Sequence, residues 1–147
     1  MIYSKEKIKN GFSLIEMITV IGIFGIVGAA GFVAFKGVKN RIVLDEAQAN
    51  LLFALEQAQN RAATGFSSGG HGIEIKENKI VPFEMINGQK YEESGGIPFS
   101  SSVSVTPTNV DIIFNRISAS TTANTTITIS GLKKTITITQ DGRIITQ

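Results

Sequence analysis

The residue types in this chain leave few routes to catalysis or metal binding. The 147-residue sequence contains no cysteine and a single histidine, His71. Thiolate zinc sites, iron–sulfur clusters and cysteine nucleophiles are therefore excluded. A histidine-based triad or metal site is disfavoured because only one histidine is present. His71 stands beside glycines with no second histidine or cysteine, so we predict a solvated loop histidine. We predict no cofactor, no bound metal and no enzymatic activity.

Adjacent carboxylates and short motifs give no catalytic site either. Asp45-Glu46 and Glu92-Glu93 are neighbours in sequence. Neighbouring side chains point in different directions on a regular element, so both pairs are predicted to be solvated surface. The sequence has no GxGxxG, GxxxxGK or GxSxG motif, which removes common nucleotide-binding and serine-hydrolase signatures.

Glu16 is the ionisable residue in the most unusual setting. It is the single charge among the 24 residues from Phe12 to Phe35. A helix of that length reaches about 36 Å, enough to cross a hydrocarbon core of about 30 Å. A carboxylate in a spanning helix costs on the order of a few kcal/mol and is by default a functional residue. The alternative is that Glu16 lies close enough to the interface to stay hydrated.

The flanking charges orient this apolar segment. Three lysines and one acid lie within residues 1–11, and a long polar remainder follows the segment. The basic end is predicted to stay in the cytoplasm, with the C-terminal part outside. A secretory signal peptide has a shorter apolar region of about 7–15 residues and a small-residue cleavage site, which the GAAG at 28–31 only loosely resembles. A plain membrane anchor fits the length but leaves Glu16 unexplained.

The start of the apolar segment reads Gly11-Phe12-Ser13-Leu14-Ile15-Glu16. This string resembles the processing site of type IV prepilins and type II secretion pseudopilins. The resemblance implies that residues 1–11 are a prepilin leader cut after Gly11, that Phe12 becomes the N-methylated terminus and that Glu16 acts in assembly. It also implies the partners: a prepilin peptidase and methyltransferase, other pilin or pseudopilin subunits, an inner-membrane assembly platform and membrane lipid.

Cleavage at this site would give Glu16 a charge partner. A new amine on Phe12 lies four residues from Glu16, one helical turn along the same face. The amine can neutralise the carboxylate within the subunit or from a neighbouring subunit, which matters because an unpaired charge is penalised in low dielectric. The leader also holds three of the 14 basic and one of the 12 acidic side chains. The net charge of +2 therefore belongs to the leader and is poor evidence for nucleic-acid binding.

The elements that position these residues are predicted to be one long helix and a small β domain. Four glycines at 22, 25, 28 and 31 form a packing face in the apolar half, or are simply common there. The second half is amphipathic and ends at Thr64-Gly65. Its apolar stripe consists of Val43, Ala47, Leu51, Leu55, Ala58 and Ala62.

The rest of the chain is predicted to be a β-rich head. Asp141-Gly142 is predicted to be a two-residue hairpin turn, and residues 84–102 a variable loop that carries partner specificity. Alternating apolar and polar residues predict strands at 72–76, 79–83 (broken at Pro82), 102–106, 110–114, 125–130, 135–140 and 143–146.

The predicted fold is α+β, a long N-terminal helix packed on a small antiparallel β-sheet head, which is the pilin fold that the resemblance implies. Two segments of the head, 47–62 and 136–144, are similar to GspH/FimT-type minor pseudopilins. Those relatives often carry Ala-Arg where this chain has Ala58-Gln59. The predicted bounds are 1–11 for the leader, 12–35 for the transmembrane or filament-core helix, 36–64 for its amphipathic half and 65–147 for the head.

These features predict a structural subunit, minor rather than major, of a type IV pilus or type II secretion pseudopilus. It would reside in the cytoplasmic membrane with the N-terminus inside and the head outside, and then in the filament. One alternative is a FimT-like DNA-binding minor pilin, with contacts from Lys133, Lys134 and Arg143 around the last hairpin. Three charges neutralise few phosphates, and no aromatic residue lies among them. The other alternative is a plain membrane-anchored extracytoplasmic binding module, which would keep its leader.

Overall fold

The computed structural model describes residues 13–66, 68–131 and 134–147. Within these ranges the chain forms one α-helix followed by nine β-strands in two antiparallel sheets. This arrangement confirms the predicted α+β fold class. The chain divides into two compact units, one that ends at Val38 and one from Lys39 to Gln147. The first unit is helical from Leu14 onward, and the second contains the rest of the helix and both sheets.

Helix α1 (Leu14–Ala63) contains 50 residues. No proline interrupts its backbone hydrogen bonds, because the first proline in the chain is Pro82. The predicted end of the helix is confirmed. The Gly65 amide donates to the Ala62 carbonyl at 3.1 Å, and Gly65 has φ +64°. Glycine adopts this left-handed conformation without a steric penalty, which makes it the usual residue just past a helix end.

Nine short strands follow the helix. In chain order they are β1 (His71–Ile75), β2 (Lys79–Ile86), β3 (Gln89–Glu92), β4 (Ile97–Pro98), β5 (Val105–Thr106), β6 (Val110–Phe114), β7 (Thr125–Ile129), β8 (Lys134–Ile138) and β9 (Ile144–Thr146). The first sheet has the order β3-β2-β1-β6, with β4 also paired to β2. The second sheet has the order β5-β7-β8-β9.

The hydrophobic core joins the second half of α1 to both sheets. Its helical members confirm the predicted stripe and add Ala54, which is 2% exposed, while Val43 is only partly buried. The threonine–isoleucine strands also alternate as predicted. Their fully buried side chains are Ile127, Ile129, Ile136 and Ile138. Each such isoleucine stabilises the fold by roughly 1.5–3 kcal/mol relative to an exposed one.

The predicted break at Pro82 is wrong, because β2 runs through it. Pro82 lies opposite Ile73 in β1, and its carbonyl accepts a hydrogen bond from the Glu93 amide at 2.8 Å. In a strand the N–H and C=O of one residue point to the same side. The missing N–H of Pro82 therefore faces Glu93 and not the ladder with β1. Proline is tolerated there because no ladder bond is lost.

The predicted loop at 84–102 is only partly loop, because strands occupy about half of it. It contains the end of β2 and all of β3 and β4. Ile86 pairs with Gln89, so Asn87-Gly88 is a two-residue turn, with φ values of +52° and +79°. This is the asparagine–glycine hairpin turn that matches strand twist. Three of the four β3 residues are exposed, so the strand lacks the alternation that the prediction required.

The last hairpin, between β8 and β9, forms with a longer turn than predicted. Its predicted two-residue turn at Asp141-Gly142 is wrong, because Ile138 pairs with Ile144 and leaves a longer connection. The Gly142 amide donates to the Thr139 carbonyl at 2.8 Å, and Gly142 has φ +87°. A glycine in this conformation is typical of the longer hairpin loops that end in a left-handed residue.

Candidate functional site

The first turn of α1 brings Ser13 and Glu16 together. The Ser13 carbonyl accepts hydrogen bonds from the amides of Glu16, at 3.1 Å, and Met17, at 3.2 Å. The Glu16 amide also lies 3.3 Å from the Ser13 hydroxyl, to which it donates. Ser13 is thus the N-cap and Glu16 the third helical residue, the spacing of a capping box. This role was not predicted, although the Ser-x-x-Glu spacing in the sequence signals it.

The negative charge of Glu16 also lies at a favourable end of the helix. The first helical turn carries partial positive charge, which stabilises a carboxylate by about 0.3–1 kcal/mol. Glu16 is exposed, and no cation pairs with it among the described residues. Its predicted partner on Phe12, and the predicted cleavage position at Gly11, lie outside the described residues. The roles of all three residues stay predictions.

The apolar half of α1 buries nothing within its own unit. Of the described helices, α1 alone is long and apolar enough to cross a membrane, by length and composition. Its most apolar stretch of 18 residues has a mean hydropathy of 2.3, and none of that stretch is buried. A Cβ built on any of the glycines at 22, 25, 28 and 31 meets no atom within 4 Å. A packing role for them would therefore involve another molecule.

The second half of α1 has two faces of different character. Leu51 is fully buried, whereas Ile42 is 60% and Phe53 is 61% exposed. At about 100° per residue, positions 42, 49 and 53 lie on the face opposite positions 47, 51 and 55. Large apolar side chains therefore stand on the face of α1 that turns away from the core. We call the residues Ile42, Ala49 and Phe53 the outward stripe.

The two described cations among the three considered for DNA contact lie apart from each other. Lys133 lies outside the described residues. Lys134 is the first residue of β8, whereas Arg143 lies opposite Thr139, whose amide donates to the Arg143 carbonyl at 2.9 Å. Five strand positions therefore separate Lys134 from Arg143, which is about 17 Å along β8. The geometry gives no support for a joint phosphate site at the last hairpin.

Each of the two described cations also has an acidic neighbour. The Lys134 Nζ lies 3.2 Å from Asp45 Oδ1, and the Arg143 Nε lies 3.1 Å from Asp141 Oδ2. Hydrogen bonding from the Thr139 hydroxyl lowers the pKa of Asp141, and Arg143 adds to that effect. A phosphate would have to compete with these carboxylates. Both pairs are exposed to solvent, so they contribute little to stability.

The prediction of a solvated His71 is wrong. His71 is the first residue of β1 and is 2% exposed. Burial lowers its pKa below the usual 6.5, the Glu84 carboxylate opposes that shift, and the Arg61 guanidinium adds to it. The neighbouring Gly72 did not mark a loop. A Cβ on Gly72 would lie 2.4 Å from the Ile112 carbonyl oxygen, so this glycine permits close packing inside the sheet.

The carboxylate pairs are more engaged than predicted. Glu93 forms an ion pair with Arg61 near the end of α1, and Glu92 lies 2.9 Å from the Lys76 Nζ. Arg61, Glu93 and His71 border a cavity of about 10 Å³. A single water needs about 10–15 Å³, so this cavity is too small for an organic ligand. In the described ranges no three metal-ligating residues form a cluster.

Comparison with known proteins adds one finding to this geometry. Residues 7–32 match the family model described as the prokaryotic N-terminal methylation motif. No curated protein and no solved structure matches the chain. The chain therefore carries a prepilin signal of the type IV pilin and pseudopilin type, which supports a pilin-like or pseudopilin precursor.

The motif also indicates the partners and the location of the chain. The family that it defines is structural rather than catalytic. The motif implies assembly with other pilin subunits and processing by a prepilin peptidase. Together with the single apolar N-terminal helix, it fits a single-pass protein anchored in the inner membrane. The motif covers Gly11, Phe12 and Glu16, the three residues predicted from the sequence.

Proposed function

We propose that this chain is a minor structural subunit of a type IV pilus or type II secretion pseudopilus. It is inserted as a prepilin, cleaved after Gly11 and N-methylated on Phe12. The observation that carries this proposal is the methylation motif at 7–32, which continues into the apolar half of α1, where the most apolar stretch of 18 residues has no buried part. A leader, a processing site and an unpartnered apolar helix in this order suit a subunit whose helix is covered only after assembly.

The proposed function assigns a task to each segment. Residues 1–11 form the leader, which sets the orientation and is removed. Residues 12–35 span the membrane and then pack in the filament core. Residues 36–64 form the half of the helix that holds the head, and residues 65–147 form the rest of the head outside the membrane. The bounds follow the charge and hydropathy of the sequence.

Assembly is proposed to use Glu16 together with the outward stripe. Glu16 would meet the amine of Phe12, from its own or a neighbouring subunit, in a bundle of apolar helices. The outward stripe supplies a second contact, since Phe53 and Ile42 are mostly exposed on a helix whose other face is buried. Two large apolar side chains exposed on one helix face suit a contact with a neighbouring subunit.

The proposed subtype is the GspH/FimT-type minor pseudopilin. Two segments carry that likeness, and a contact joins them. The Gln59 Nε2 donates to the Gly142 carbonyl at 2.6 Å, which ties the helix to the last hairpin. Gln59 is the position where the relatives' Ala-Arg pattern is absent. Here its amide serves a structural purpose that an arginine at this position would have to replace.

The test of this proposal is the mass of the N-terminus. The full chain is extracted from membranes, with and without a co-expressed prepilin peptidase, and its intact mass and N-terminal peptide are measured. We expect an N-terminus at methylated Phe12 only with the peptidase. A Gly11→Ala variant is the matched control and should keep its leader. A leader retained by the unaltered chain under both conditions would contradict the proposal and favour the anchored binding module.

A further inference from the structure

A polar groove lies beside residues 40–45 of α1, where the helix enters the second unit. Its volume is about 550 Å³, within the range of small-molecule sites. It is lined by Asn40, Arg41, Leu44, Asp45, Gly131 and Lys134. An adjoining depression of about 210 Å³ shares three of these residues and adds the side chains of Ser102 and Ser130. The groove therefore presents cations, hydroxyls and one apolar side chain together.

The charges in the groove favour an anion. Arg41 and Lys134 contribute two positive charges and Asp45 one negative charge. Lys134 shares its charge with Asp45 at 3.2 Å, whereas Arg41 has no ion pair among the described residues. An arginine presents a planar fork of donors that matches the oxygens of a phosphate group. A lysine adds a point charge without that geometry.

The sequence places this groove next to the bilayer. The apolar run from Leu14 to Phe35 is about 33 Å long as a helix, close to the thickness of the hydrocarbon core. Asn40 follows Phe35 by five residues, or about 7.5 Å along a helix. That distance is within the headgroup layer, which adds about 5–8 Å on each side. Leu44 faces Gly131, with 2.9 Å between its Cδ1 and a Cβ built there.

Topology does not explain the basic residues at this end of the membrane segment. Lys36, Lys39 and Arg41 follow the apolar run directly. Lysines and arginines beside a membrane span are normally enriched on the cytoplasmic side, whereas these belong to the outer side in the proposed orientation. Near an anionic surface such a residue strengthens binding about fivefold, and of these three Arg41 alone lines the groove.

We propose that this groove binds the phosphate of an anionic phospholipid headgroup. Arg41 and Lys134 hold the phosphate at the outer surface of the cytoplasmic membrane. Asp45 limits the affinity, because it shares Lys134 with the phosphate. The inference rests on the membrane anchoring in the proposed function, but not on cleavage or assembly. A retained leader would therefore contradict the proposed function and leave the lipid site standing. A failure to bind the lipid would contradict the lipid site and leave the proposed function standing.

The experiment is native mass spectrometry of the full chain in a neutral detergent. The chain is titrated with phosphatidylglycerol and, separately, with phosphatidylcholine of the same acyl chains. We expect one phosphatidylglycerol per chain and preference for it over phosphatidylcholine. Arg41→Gln should weaken that binding about fivefold. Lys39→Gln is the matched control, since Lys39 has the same charge on the same helix but does not line the groove.

Two further variants keep the test decisive. Lys134→Gln should weaken phosphatidylglycerol binding as Arg41→Gln does. Asp45→Asn should strengthen it, a gain that misfolding cannot produce. Equal losses in Arg41→Gln and Lys39→Gln would show diffuse electrostatic attraction and overturn the site. Displacement of the lipid by millimolar inorganic phosphate would identify a free-anion site instead, and equal binding of both lipids would also contradict the proposal.

Discussion

At the residue scale, Glu16 combines two roles that different substitutions can separate. As the third helical residue it has the spacing of a capping box with Ser13, whose hydroxyl accepts a hydrogen bond from the Glu16 amide. As a carboxylate it would neutralise the mature N-terminal amine in a filament. Glutamine satisfies the capping box as glutamate does, but carries no charge. The two roles therefore predict different behaviour for Glu16→Gln and Ser13→Ala.

We expect Glu16→Gln and Glu16→Ala to be inserted and cleaved normally but to be poorly recovered in the assembled filament fraction. An amine left without its partner in low dielectric costs about 3–5 kcal/mol. Ser13→Ala should weaken the start of the helix by about 1 kcal/mol and leave assembly nearly unchanged. The measurement is the assembled fraction of each variant beside its N-terminal mass.

Glu77→Ala is the control for a lost carboxylate outside the helix, since Glu77 lies exposed between β1 and β2. Normal incorporation of Glu16→Gln would contradict the charge-pairing role. Failure of Ser13→Ala together with normal assembly of Glu16→Gln would instead assign the importance of this turn to helix capping.

His71 predicts how the stability of the head depends on pH. Its pKa is lowered in the folded chain, first by burial, so the unfolded chain binds the proton more readily. The free energy of unfolding should therefore fall as the pH drops below about 6.5 and level off below the folded pKa. Thermal unfolding of the full chain in detergent from pH 8 to pH 5 measures this change.

The variant His71→Gln should show a flatter stability curve over the same window. The comparison is clean because the chain has one histidine. Glu74, whose pKa is lowered mainly by its hydrogen bond from Lys90, loses its contribution only at lower pH, below about 4.5. Parallel curves for the two chains between pH 8 and pH 5 would show that His71 is not the source.

At the element scale, the two glycine turns allow a matched test. Gly88 and Gly142 both have positive φ, +79° and +87°. A Cβ on Gly88 meets nothing within 4 Å, whereas one on Gly142 would lie 2.2 Å from the Ala119 carbonyl oxygen. Gly88→Ala should cost about 1–2 kcal/mol of unfolding free energy from backbone strain alone. Gly142→Ala should cost about 1–3 kcal/mol more, because the backbone must also move.

Denaturant unfolding of the two variants measures this difference. Equal losses would mean that the Ala119 segment yields freely and that strain alone acts at Gly142. The same pair shows why sequence patterns located only some turns. Asn-Gly at 87–88 is a strong hairpin signal in a polar stretch without alternation, and Asp-Gly at 141–142 is the same kind of signal in a longer loop.

Helix faces supply the second matched pair. Leu51 is fully buried and Phe53 is 61% exposed, two positions apart on α1. Leu51→Ala should lower the unfolding free energy by about 2–5 kcal/mol. Phe53→Ala should change it by no more than about 0.5 kcal/mol but reduce recovery in the assembled fraction. An unchanged assembled fraction for Phe53→Ala would remove the outward stripe from the proposed interface.

The sequence predicted most elements with a period and missed those without one, although the alternation at 102–106 gave a strand only at Val105–Thr106. The helix, its buried stripe and the threonine–isoleucine strands follow from repeating patterns, and the helix end follows from Gly65. Strand β3 was missed because three of its four residues are exposed at a sheet edge. The burial of His71 was missed because its environment is made by residues distant in sequence, such as Arg61 and Glu84. No local pattern reports such a contact.

At the scale of the whole molecule, the chain has two basic clusters that flank one apolar segment. Lys5, Lys7 and Lys9 precede it, and three more cations, at 36, 39 and 41, follow it. The orientation rule counts lysines and arginines near the ends of a span. The two sides hold equal numbers, so the leader lysines are needed to offset the cations that follow the segment. This makes the leader an orientation signal that is needed only until insertion is complete.

Replacing the three leader lysines by glutamine should therefore insert a substantial fraction of chains with the head in the cytoplasm. The natural chain has no cysteine, so Ser94→Cys in an exposed part of the head gives a single labelling position. A membrane-impermeant maleimide should label it fully in the otherwise unaltered chain and only partly in the glutamine variant.

Arginine at the same three positions keeps the charge and should restore full labelling. Further neutralisation of Lys36, Lys39 and Arg41 should also restore it, because the bias toward inversion is then removed. Full labelling of the glutamine variant would show that the apolar segment and the head fix the orientation without the leader, and the leader lysines would then need a purpose in processing alone.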